Sequence, residues 1–227
     1  MQYRPIKPSE MFLTKTGNYF PIVEMKERLA LLDSKVKPED WQKKVQLYFD
    51  SNTKGGVRYE IDTTNSLTAV DKYPWHGPSK DGCVVIYEFP ITDKGGVVPK
   101  DLYLIGHDPI ATDSVTGESF AATYVIKTKK YWNTYGHDEI VAAYVSRPYD
   151  GRGPINENLL KLSMLYGNAI IYFENMVGNV KEYFEKMKRL DLLARQPTTV
   201  FNKKASFDGK GQAVVYGYPM SNRKIIM

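Results

Sequence analysis

The sequence holds a single cysteine, Cys83, among 227 residues. A disulfide within the chain is therefore impossible, and a zinc site built on several cysteines is excluded with it. Cys83 lies inside Cys83-Val-Val-Ile-Tyr87, the setting of a buried strand position. No apolar run approaches the roughly 20 residues that a membrane-spanning helix requires. The opening, Met1-Gln-Tyr-Arg-Pro5, carries no apolar signal segment. Also missing is Gly-x-x-x-x-Gly-Lys-Ser/Thr, the loop that cradles phosphates in nucleotide hydrolases, and Lys94-Gly-Gly96 does not fit its spacing. The expectation from these absences is a cytosolic protein with no membrane segment and no ATPase apparatus.

Hydrophobic residues make up 42% of the chain and charged residues 25%, enough apolar material for a real core. The formal net charge is +5, a modest excess compatible with a polyanionic partner. The length suits one large domain or one domain with a long appendage. Composition and punctuation divide it into residues 1–100, a linker and helical segment with short strands packing on the core, and residues 101–227, the core itself.

The most informative stretch is Asp101-Leu-Tyr-Leu-Ile-Gly-His-Asp-Pro109. Its continuous apolar run reads as a central strand covered on both faces, ended by Pro109 and presenting one carboxylate, Asp108. Ala169-Ile-Ile-Tyr-Phe-Glu-Asn175 repeats the pattern, an apolar run closed by Glu174. Two such strand ends can bring carboxylates to one sheet edge, the usual way to hold a hard divalent cation.

Before this stretch, Ile22, Met25, Leu29 and Leu32 are spaced as one helical stripe. Val57–Ile61 alternates like a half-buried strand, residues 63–82 read as loop, and Cys83–Phe89 reads as strand. After it, Ser119–Thr128 and Glu139–Arg147 read as an antiparallel pair joined by the basic, aromatic turn 129–136. Ile155–Tyr166 is expected to be a helix with Leu159 and Leu162 inward, and Val177–Leu193 a second one. Thr198–Phe201 would be a short strand, followed by a hairpin turning at Asp208-Gly209. The order is three strands, helix, strand, helix, strand. A right-handed crossover through the first helix returns the Ala169 strand to the same sheet. If it lies parallel beside the Leu102 strand, Asp108 and Glu174 finish at the same carboxyl edge, where open α/β sheets keep their sites.

Three pieces in this order, Tyr103–Ile110, Phe120–Val125 and Tyr166–Gly178, resemble the C-terminal nuclease domain of a tailed-phage terminase large subunit, the DNA-packaging motor. Gly82–Pro90 resembles the strand and proline before that domain's first catalytic strand. Pro8–Phe12 and Phe20-Pro21 resemble the segment joining the packaging ATPase to the nuclease. The resemblance implies an α/β fold of the ribonuclease H-like kind, a mixed sheet with flanking helices, and cleavage of concatemeric double-stranded DNA by a metal-dependent endonuclease. It implies two Mg²⁺ or Mn²⁺ ions, with Asp108 and Glu174 as catalytic acids and metal ligands. Asp113, in the turn after Asp108, would be an auxiliary ligand, its plainer reading being a turn cap. His107 beside Asp108 is unusual for the family. The family's third acid is expected beyond Met227, since Asp208 belongs to a hairpin turn, so weak metal binding is expected of this chain. Implied partners are duplex DNA, an ATPase domain, a small terminase subunit and a portal, in the cytoplasm of an infected bacterial host.

Lys127, Lys129, Lys130, Arg147, Arg152, Lys203, Lys204, Arg223 and Lys224 are candidates for sequence-independent phosphate contacts. For any one of them a solvated surface is the blander reading. Tyr131 and Trp132 read as packing residues. Two alternatives stay open: another ribonuclease H-like nuclease of the junction-resolvase type, and a non-catalytic DNA-binding or motor-docking module on the same fold.

Overall fold

The computed structural model describes residues 22–35, 41–111, 118–128, 139–196 and 214–219. The chain divides into two units, residues 1–42 and 43–227. In the first, helix α1 (Ile22–Lys35) forms where the apolar spacing predicts it.

The second unit is built on one sheet. Its described strands are β1 (Lys43–Phe49), β2 (Val57–Ile61), β3 (Val84–Ile86), β4 (Tyr103–Asp108), β5 (Ala121–Lys127), β6 (Glu139–Ser146) and β7 (Ile170–Phe173). They lie in the order β2-β1-β3-β6-β5-β4-β7, so strands from either side of residue 100 share one sheet. β4, β5 and β6 form an antiparallel meander. The chain then crosses over through helix α2 (Arg152–Leu165) and returns as β7, parallel to β4. Helix α3 (Val180–Lys186) follows, then a short 3-10 turn over Leu190–Leu192. Leu193 bridges in parallel to Ile171, continuing the sheet beyond β7.

Register explains why one face is core and the other only partly so. Val45, Val84, Tyr144, Thr123, His107 and Phe173 lie side by side across six strands. All six are buried. The period of two along each strand puts their neighbours on the opposite face. There the next row, Val85, Ala143, Tyr124, Gly106 and Tyr172, is buried at β3 and β6 and open at β5, β4 and β7. The expectation that β4 is covered on both faces therefore fails. Its residues alternate between buried and accessible, ending at exposed Asp108.

α2 lies over the buried face. Ile155, Leu159, Leu160 and Leu162 are at most 2% exposed, each worth roughly 1.5–3 kcal/mol of burial. Lys161 is buried with them. Its ammonium donates to the Leu47 carbonyl at 3.0 Å, pairs with Glu157, and stands 5.1 Å from the Phe49 ring centre. The loop after β2 returns to the residues just before β3. The Asp62 carboxylate gathers that loop, accepting from the backbone N–H of Leu67 at 2.7 Å and of Thr64 at 3.0 Å. The backbone N–H of Cys83 donates to the Thr68 carbonyl at 2.8 Å. Those donors hold the Asp62 carboxyl well below its ordinary range, the Leu67 amide contributing most.

The second helix is shorter than its apolar pattern suggests. Lys188 takes a left-handed backbone, φ 57°, and the Arg189 N–H turns back to the Phe184 carbonyl. The sequence placed Leu193 in that helix, whereas the chain has left it and pairs with β7 there.

A candidate metal centre at the carboxyl edge of the sheet

β4 and β7 run parallel in the register Leu104↔Ile170, Ile105↔Ile171, Gly106↔Tyr172 and His107↔Phe173. The next residues in that register are Asp108 and Glu174. Alternation from the buried pair His107 and Phe173 places both carboxylates on the opposite, open face. Asp108 is exposed and Glu174 half-buried. Glu174 is held from its far side as well. It bridges in parallel to Tyr218, whose N–H donates to the Phe173 carbonyl at 2.9 Å and whose carbonyl accepts from the Asn175 N–H at 3.1 Å.

The loops beyond the two acids are pressed together. Gly178 has φ 77°, and a Cβ added there would come within 2.9 Å of the Pro109 Cβ. The turn leaving Glu174 thus rests on the residue that follows Asp108, and only glycine meets both the dihedral and the clearance.

Directly behind Asp108, His107 points into the core. Its Nδ1 lies 2.8 Å from the Thr123 hydroxyl, while its Nε2 has no hydrogen-bond partner among the described residues. Burial pushes the imidazole down to about 4, so it stands neutral at the back of the acidic strand end.

Two hard oxygen donors on adjacent strands, both reachable from solvent, suit Mg²⁺ or Mn²⁺. Water and a bound phosphate would complete the shell. Among the described residues no group of three or more His, Cys, Asp or Glu side chains is arranged to hold a metal ion. Asp113, Lys129, Lys130, Lys203, Lys204, Arg223 and Lys224 lie outside the described residues.

Two of the basic candidates prove to be interior. Lys127 is 2% exposed and donates to both Glu88 carboxylate oxygens, at 2.9 and 2.6 Å, with Glu139 at 3.1 Å. Arg147 is 4% exposed and donates to the Ser119 carbonyl at 2.5 Å and its hydroxyl at 3.1 Å. The structure thus corrects their reading as outward phosphate contacts: their side chains are buried and their charged ends are already paired within the fold. Arg152 differs. With Tyr149, Asp150, Gly151, Gly153 and Asn179 it lines a cleft of about 390 Å³ where α2 and α3 begin.

No local pattern points to the aromatic side chains on the open face. Tyr124 and Tyr172 flank Gly106 there, and the Tyr172 ring stacks on Tyr218 with centroids 6.0 Å apart. Outward positions in β5 and β7 signal them, but only once the register is known.

No family model, curated protein or solved structure matches this chain.

Proposed function

We propose that this chain is a metal-dependent DNA endonuclease on a ribonuclease H-like core, as in the nuclease domain of a packaging terminase. One observation carries the reading. The register of β4 and β7 continues from His107↔Phe173 to Asp108 and Glu174, two acids from distant sequence at one sheet edge. The strand order around them also supports it: an antiparallel meander, a helical crossover, a parallel strand beside the first, then a helix and a further parallel bridge.

In this reading Asp108 and Glu174 hold Mg²⁺ or Mn²⁺ from one side and leave the open face to the substrate. When bound, the ions would neutralise charge at the scissile phosphate and lower the pKa of a coordinated water, making hydroxide available as the nucleophile. The side chains fix where that chemistry takes place. Pairing with Thr123 orients the buried His107 ring, and contact between Gly178 and Pro109 sets the loops that carry the acids past the strand ends. Duplex DNA is the proposed substrate, with the motor's ATPase, small subunit and portal as proposed partners.

Nicking of supercoiled plasmid in Mn²⁺ tests the proposal. Metal-dependent conversion to open circles, abolished alike in Asp108→Ala and Glu174→Ala, is the expected result. Cleavage that survives either substitution would place the chemistry elsewhere. Absence of cleavage in Mg²⁺ and Mn²⁺ would favour the non-catalytic DNA-binding module.

A further inference from the structure

Gly106 lies directly between Tyr124 of β5 and Tyr172 of β7 in the pairing of the sheet. All three occupy the face that carries Asp108 and Glu174, one row further from the edge. Tyr124 is 39% exposed and Tyr172 42%, and a Cβ built on Gly106 would meet nothing within 4 Å among the described residues. The face therefore presents a bare backbone floor between two exposed tyrosines, a slot whose walls would be their rings. Neighbouring strands stand ~4.8 Å apart, so the walls rise from strands ~10 Å apart. A flat ring between them would lie about 5 Å from each, inside the 4.5–7 Å range of stacked aromatic pairs. Tyr218 backs the Tyr172 ring at 6.0 Å with planes 23° apart, so that wall is supported from behind.

Asp108 is two residues further along β4, about 7 Å from the floor of the slot. One nucleotide spans that step. We propose that the Gly106 slot is a nucleobase site: an unpaired base stacks between Tyr124 and Tyr172 while its adjoining phosphate reaches Asp108 and Glu174. The occupant is a single strand or a locally opened one, because a paired base must first be unpaired and unstacked, at a cost in energy, before it can enter. The net charge of +5 favours a polyanion over a second copy of this chain. The role given to the phosphate rests on the nuclease reading above. Stacking of the base does not, since it needs no metal.

Fluorescence anisotropy in EDTA separates the two. The probes are a fluorescein-labelled oligothymidine of about 15 nucleotides, within the range of single-strand sites, and a duplex of equal length. Gly106→Val fills the slot with a β-branched residue that suits a strand and meets open space. The single strand should bind more tightly than the duplex. Gly106→Val should weaken it by roughly 5- to 100-fold, as should Tyr124→Leu and Tyr172→Leu together. Unchanged single-strand affinity in a folded Gly106→Val protein, or in the double tyrosine variant, overturns the proposal. So does preference for the duplex, or a dimer in sedimentation that Gly106→Val dissolves while oligonucleotide affinity stays constant. Loss of single-strand binding in Gly106→Val, with no cleavage in any metal, would uphold the slot and remove the nuclease. Cleavage that requires Asp108, with single-strand affinity indifferent to Gly106→Val, would do the reverse.

Discussion

Replacing Lys127 separates a structural lysine from a DNA contact. Its stem crosses the buried face and its ammonium meets Glu88 and Glu139, whose side chains are 38% and 52% exposed. Lys127→Ala removes three buried methylenes, about 2.4 kcal/mol at ~0.8 kcal/mol each. The abandoned carboxylates can turn to water, so the lost ion pairing adds only about 0–1 kcal/mol. The expected cost is about 2–4 kcal/mol. Lys127→Met keeps the stem and loses the charge, so it should cost about 1 kcal/mol. Urea denaturation followed by circular dichroism reads both as a lower midpoint at constant slope. DNA affinity of the folded variants should stay within about twofold of wild type. Equal losses in the Ala and Met variants would show that charge dominates. A tenfold fall in DNA affinity at unchanged stability would mean that the ammonium serves phosphate, and the interior assignment would be wrong.

Two further outcomes follow from the surroundings of the acids. The His107 imidazole is lowered by burial to about 4 from an ordinary value near 6.5, so between those values the unfolded chain takes up a proton that the folded chain refuses. Stability should be full above pH 6.5 and fall by up to about 3 kcal/mol as pH drops to 4. His107→Gln should flatten that limb, and an identical pH profile in the variant would contradict the burial argument. Gly178→Ala should cost about 1–3 kcal/mol, because it combines a left-handed φ of 77° with a 2.9 Å approach to Pro109. A melting temperature equal to wild type would show that the two loops are not pressed together.

Strand identity was legible where apolar residues run into an acid or a proline. Leu102–Pro109 and Ala169–Glu174 announce both strands, and the helix between them implies that they lie parallel. β1 carries no such mark. Val45 and Leu47 are its only fully buried side chains, set among Lys43, Lys44 and Gln46, and Phe49 faces solvent, so the alternation is faint. Burial of Lys127, Arg147 and Lys161 was illegible for another reason. A lysine or arginine in a strand or helix reads as solvated until its burying partner is located, and the carbonyls that receive Arg147 and Lys161 lie 28 and 114 positions away. The Tyr124–Gly106–Tyr172 slot needs two registers at once, one antiparallel and one parallel, which no local pattern encodes.

The central claim is that Asp108 and Glu174 act as one metal site. Isothermal titration with Mn²⁺ at low ionic strength measures this directly on wild type, Asp108→Ala, Glu174→Ala and the double variant. The account predicts a weak but saturable site in wild type. Either single substitution should abolish it, and the double should lose nothing more, because one carboxylate alone offers a hard divalent ion too few protein oxygens to hold it. Binding that persists in either single variant, or falls by independent steps to the double, would contradict a shared site.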